Sequence, residues 1–150
     1  MSNDLLALKL LLETFGVGLD ITSVDQRKAK QKAVYLAKIE GADLGYSYGW
    51  YVRGPYSPRL ADAYYDLTRQ EVGTGQLRAD LQAAIANAKA KYFDTAPAGF
   101  QIHNWLELLA SMHYLINVSR YDLEKTRQTI RDKKDHLVGH MAAAERALGL

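Results

Sequence analysis

The chain has 150 residues, 48% of them hydrophobic and 24% charged, with 19 Lys+Arg against 17 Asp+Glu and no cysteine. That balance fits a globular chain that buries a core, and it excludes disulfides, thiol catalysis, iron–sulfur clusters and cysteine-based zinc sites. A net charge of +2 is too small to argue for nucleic acid by itself.

The first predicted helix runs from Asp4 to Phe15, with Leu5, Leu8, Leu12 and Phe15 on one stripe and Gly16 and Gly18 ending it. No basic segment precedes its leucines, and Lys9 and Glu13 interrupt them, so neither a signal peptide nor a membrane span is expected. A cytoplasmic location follows as an expectation.

A second helix spans Ser23 or Val24 to Glu40. Ala29, Ala33, Leu36 and Ala37 form a narrow face of small residues that permits close helix packing. Arg27, Lys28, Lys30, Lys32 and Lys38 outnumber Asp25 and Glu40 and read as a solvated basic face.

The next stretch is compositionally odd. Six of the ten tyrosines fall between Tyr46 and Tyr65. Tyr46, Tyr48 and Trp50 alternate with small residues, which predicts one short β-hairpin or extended element near residues 44–53. Gly54-Pro55 predicts the turn, and Ser57-Pro58 predicts the capped start of a third helix. That helix carries Leu60, Tyr64 and Leu67 inward and ends near Gly73.

Leu77 to Tyr92 shows helical spacing throughout, and the Thr95–Gly99 segment breaks it. Asn104 to Ser119 predicts a fifth helix through the centre of the domain. It has Trp105, Leu108, Leu109, Met112 and Ile116 on one face and Leu106 and Leu115 widening it. Asp122 caps a polar sixth helix to Lys134, and an alanine-rich last helix runs from Val138 to Leu148. The expected fold is mainly α: one compact domain over residues 1–150, with about six or seven helices.

Catalytic motifs are scarce. His136 and His140 are four residues apart, but no HExxH order surrounds them, so solvated histidines are the plainer reading and no metal is expected. His113, on the rim of the fifth helix, fits a hydrogen-bonded histidine better than a catalytic one; an enzyme built on His113 and Glu107 has no nucleophile motif behind it. Gly73-Thr-Gly75 lacks the Lys-Ser/Thr of a phosphate loop. Neither enzymatic activity nor a cofactor is expected.

Two binding surfaces stay open. Tyr and Trp supply large contact areas with few rotatable bonds. That favours a protein partner on Tyr46, Tyr48, Trp50, Tyr51, Arg53 and Tyr56, with Lys32 and Tyr35 behind them, Gly54 and Pro55 setting the turn and Ser57 capping the next helix. The alternative is a nucleic-acid-binding regulator using the basic helix 24–40, in which Lys28, Lys32 and Lys38 neutralise phosphates.

The series Gln31-Lys-Ala-Val-Tyr-Leu-Ala-Lys38, Leu44-Gly-Tyr46 and Trp50-Tyr-Val-Arg-Gly-Pro-Tyr-Ser57 with Leu60 resembles the layout of YwgA-like proteins. Those are similar in turn to SocA (Panacea)-type antitoxin domains and to the toxin-binding domain of DarG. Trp105 to Tyr114 and Lys133-Lys-Asp-His136 extend the resemblance over most of the chain. The resemblance implies a non-enzymatic helical module that binds a protein partner, such as a toxin or a defence effector. The ADP-ribose-removing macrodomain of DarG has no counterpart here. This chain also carries Arg53 where the pattern has Tyr before Gly-Pro.

Overall fold

The computed structural model describes residues 2–150. In chain order the elements are α1 (Ser2–Phe15), α2 (Val24–Ile39), β1 (Gly49–Tyr51), β2 (Gly54–Tyr56), α3 (Pro58–Leu67), α4 (Ala79–Ala88), α5 (Ile102–Asn117), α6 (Leu123–Lys133) and α7 (Met141–Leu148). A π-helical turn, Lys89–Phe93, extends α4, and a 3-10 segment, Asp135–His140, leads into α7. The fold is mainly α with one antiparallel hairpin, as the residue patterns predict. Among the described residues no helix is long and apolar enough to cross a membrane.

Three N-caps form as their side chains dictate. Ser23, Ser57 and Asp122 each accept a backbone N–H three residues on, at the starts of α2, α3 and α6. Pro58 occupies the first position of α3, where its missing N–H costs nothing.

The core is built on the pair α2–α5, the most extensive helix contact in the molecule. Ala33 and Ala37 are fully buried on α2, and Trp105, Leu106, Leu108, Leu109 and Met112 are fully buried on α5. The small residues of α2 leave room for the large ones of α5, so the central helix is covered on nearly every side. The indole N–H of Trp105 donates to the carbonyl of Tyr92 at 2.7 Å, which satisfies the one polar atom that this ring brings inside. Phe15 and Phe93 stack at 4.3 Å and tie α1 to the π turn.

Several expected boundaries move. The extended element is not 44–53: its strands are 49–51 and 54–56, paired Gly49 to Tyr56 and Tyr51 to Gly54, and residues 44–48 form an irregular approach. Val52 and Arg53 make the turn, not Gly54-Pro55, which lie in β2. Gly54 takes φ +93°, the left-handed conformation that a two-residue turn with ordinary φ values needs at its exit. The third helix stops at Leu67 rather than near Gly73, and α4 begins at Ala79 rather than Leu77.

Candidate functional site

The hairpin is held by side chains of α2, α5 and the end of α6. The Gln31 amide pairs with the backbone of Ser57 twice: the Ser57 N–H donates to Oε1 and Nε2 donates to the Ser57 carbonyl, both at 2.9 Å and buried. Lys32 Nζ donates to the Pro55 carbonyl at 2.6 Å, and Lys134 Nζ to the Val52 carbonyl at 3.0 Å. Gly54 lies directly on Ser111 of α5, where an added Cβ would collide with the serine hydroxyl. These contacts satisfy backbone groups that a lone two-stranded hairpin leaves open, and they fix its position on the helices.

Clamped this way, the hairpin raises its turn into solvent. Val52 is 89% exposed, Tyr51 49% and Trp50 39%, and Arg53 is exposed beside them. Trp50 leans against Tyr114 at 5.6 Å, and Tyr51 meets Tyr56 edge-on at 5.1 Å. Behind the turn, Tyr35 meets Tyr48 edge-on at 5.1 Å, and its hydroxyl lies 2.7 Å from Nδ1 of His113. Burial raises the Tyr35 phenol, and Tyr114 adds to the effect; it lowers the His113 imidazole, with Glu40 opposing, so the pair stays neutral near pH 7.

Under the hairpin lies a buried charge cluster. Glu107 accepts from Lys28 at 2.8 Å and from Lys134 at 2.6 Å. Burial alone would raise its carboxyl, but the two ammonium groups outweigh that and hold it low. Lys32 shares the same surroundings. Burial first, then the charges of Lys134, Lys28 and Arg53, lower it to about 7 against the opposing pull of Glu107. One carboxylate thus pairs with two buried lysines and lies near a third.

The structure sorts the sequence-predicted residues into three depths. Trp50, Tyr51 and Arg53 are exposed, and Tyr46, Tyr48 and Tyr56 are half-buried. Lys32, Tyr35, Gly54, Pro55 and Ser57 are buried: Gly54 and Pro55 lie in β2, Lys32 bonds the Pro55 carbonyl, Ser57 pairs with Gln31, and Tyr35 packs on Tyr48 and His113. The expectation of a solvated basic face on α2 is wrong: Lys28, Lys30 and Lys32 are all buried, and Lys30 donates to the Asp20 carbonyl at 2.6 Å. Long aliphatic stems bury readily when the ammonium finds an acceptor.

Glu107 and His113 do not meet as an acid–base pair, since Lys28 and Lys134 take the first and Tyr35 the second. His136 and His140 also part, His136 lying 3.9 Å from Glu107 and His140 stacking on Phe100. Sequence reasoning missed Val52, the Gln31 clasp and the Glu107–Lys134 pair. The Gln31-Lys32 and Gly54–Ser57 segments of the resemblance were the available signal for the clasp, because they meet in space; Lys134 carried none.

Comparison with family models, with curated proteins and with solved structures finds no match.

Proposed function

We propose that this chain is a non-enzymatic protein-binding module, antitoxin-like or an accessory of a toxin–antitoxin or phage-defence locus, that docks its partner on the hairpin turn. One observation carries the docking surface: Trp50, Tyr51, Val52 and Arg53 are four consecutive exposed residues on a hairpin clamped by Gln31 and Lys32 of α2 and by Lys134 at the end of α6. Surface-exposed aromatics beside an arginine match the residue types that dominate binding hot spots, and a rigid support lowers the entropy lost on docking.

The antitoxin-like part rests on the resemblance. The segments that carry it, Gln31-Lys32 and Gly54-Pro55-Tyr56-Ser57, bond to one another and form the seat of this surface. The nucleic-acid alternative loses ground, because Lys28 and Lys32, two of its three phosphate-binding lysines, are buried and bonded to the protein's own oxygens.

The test is affinity capture from the native host with the wild-type chain and Arg53→Glu. A docking hairpin predicts that one specific partner is captured by the wild type and lost with the variant, while stability changes by less than about 1 kcal/mol, as for surface substitutions generally. Retention of that partner by an Arg53→Glu/Tyr56→Ala double variant would sink the proposal.

A further inference from the structure

Beside the hairpin, between α2 and α3, opens a cavity of about 370 Å³ whose lining has a particular chemistry. Its cations are Arg27, Lys28, Lys32 and Arg53, and no aspartate or glutamate is among its lining residues. Tyr51, Tyr56, Tyr64 and Tyr65 supply rings around it.

Lys32 is the informative group. It is 1% exposed, yet among the described residues its ammonium bonds to the Pro55 carbonyl alone, which leaves two of its three N–H donors without a protein acceptor there. The nearby carboxylate, Glu107, is already held by Lys28 and Lys134. Arg27 spends one nitrogen on the Ile21 carbonyl, and Arg53 carries its charge at the cavity mouth in the hairpin turn. A buried excess of positive charge is costly unless an anion offsets it or an ammonium gives up its proton. The cavity places that excess against aromatic walls.

We infer that this cavity is a binding site for an oxyanion, a carboxylate or a phosphate group, carried on a planar or apolar body. The anion would take the open donors of Lys32 and pair with Arg53, while the body packs among the tyrosine rings. Binding couples to protonation. Lys32 faces Lys28 from its own helix, Glu107 from α5, Lys134 from the end of α6 and Arg53 from the hairpin, and this surrounding lowers it to about 7. An anion favours the charged ammonium, so binding takes up a proton at pH 8 and weakens as the pH rises further.

The site goes beyond the docking surface and needs no partner protein to be tested. The experiment titrates the purified chain with phenyl phosphate, phenylacetate and neutral benzyl alcohol by calorimetry and by NMR of the lysine side chains. Saturable one-to-one binding of phenyl phosphate or phenylacetate is expected, with a Lys32 signal that moves. Whichever binds tighter identifies the phosphate or the carboxylate as the natural group. Lys32→Met and Arg53→Gln should each weaken binding roughly tenfold, the loss typical of one charge-assisted hydrogen bond. Arg53 is exposed, so its variant reads the site even if Lys32→Met disturbs folding. No saturable binding of either anion, equal binding of benzyl alcohol, or unchanged affinity in Arg53→Gln would overturn the inference.

Discussion

Glu107 accepts from two buried ammonium groups with a third close by, and a buried carboxylate in that position has large consequences. Removing it leaves the charges of Lys28 and Lys134 buried without their carboxylate, with only the neutral acceptors Asn104 and the Val52 carbonyl left among the described residues. Glu107→Ala is therefore expected to cost about 3–5 kcal/mol in urea denaturation, against about 1 kcal/mol for an average substitution. A loss under 1 kcal/mol would mean that the lysines find other acceptors. The same cluster sets a pH dependence. Lys32 is lowered to about 7 in the folded chain and returns to its ordinary value of 10.5 on unfolding. Between those values the unfolded chain binds more protons, so stability rises as the pH goes from 7 to 9. Lys32→Met should flatten that rise. On the acid side, His113 is lowered by burial and Glu107 is held low by its lysines. Both require stability to fall as the pH drops: His113 through the unfolded histidine value near 6.5, and Glu107 at lower pH as its carboxylate is protonated. Thermal melts across pH 2–9 check all three contributions.

At the level of the element, the hairpin depends on the backbone of Gly54. Its φ of +93° disfavours any side chain, and a Cβ would meet Ser111. Gly54→Ala should cost about 2 kcal/mol or more and loosen the turn. Relieving the clash with Ser111→Gly recovers only part of that, because the dihedral strain stays; full recovery in the double variant would show that sterics alone matter. The helices were largely legible, since α2 and α3 bury the stripes that their spacing marks, and α1 and α5 bury theirs except for the part-buried Leu5 and Ile116. The hairpin was legible as a region but not in register. The alternation of Tyr46, Tyr48 and Trp50 suggested pairing from residue 44, but ladder hydrogen bonds begin only at Gly49. Helix α2 misled for a different reason. Five cations on a helix suggest water, and nothing in the spacing of Lys28 and Lys32 reveals that Glu107, nearly 80 residues away, and the Pro55 carbonyl receive them.

For the whole molecule, the helices form a frame that presents one exposed aromatic turn. The tyrosine excess divides accordingly. Tyr64 fills the core, Tyr46, Tyr48 and Tyr56 pack half-buried against it, and Tyr51 and Tyr65 reach solvent. Part of the cluster is structure and part is surface, a division fixed by tertiary packing that local sequence does not encode. Val52, the most exposed large hydrophobic among the described residues, has no signal in the sequence, because a single valine carries no pattern. The docking surface is tested most directly by placing a photo-crosslinking amino acid at position 52 and, as a control, at exposed Asp62 on α3. Crosslinking in the native host should give one discrete protein adduct from position 52, lost when Arg53 is also changed to Glu, and none from position 62. No adduct at 52, or the same adduct from both positions, would contradict the hairpin as the docking surface.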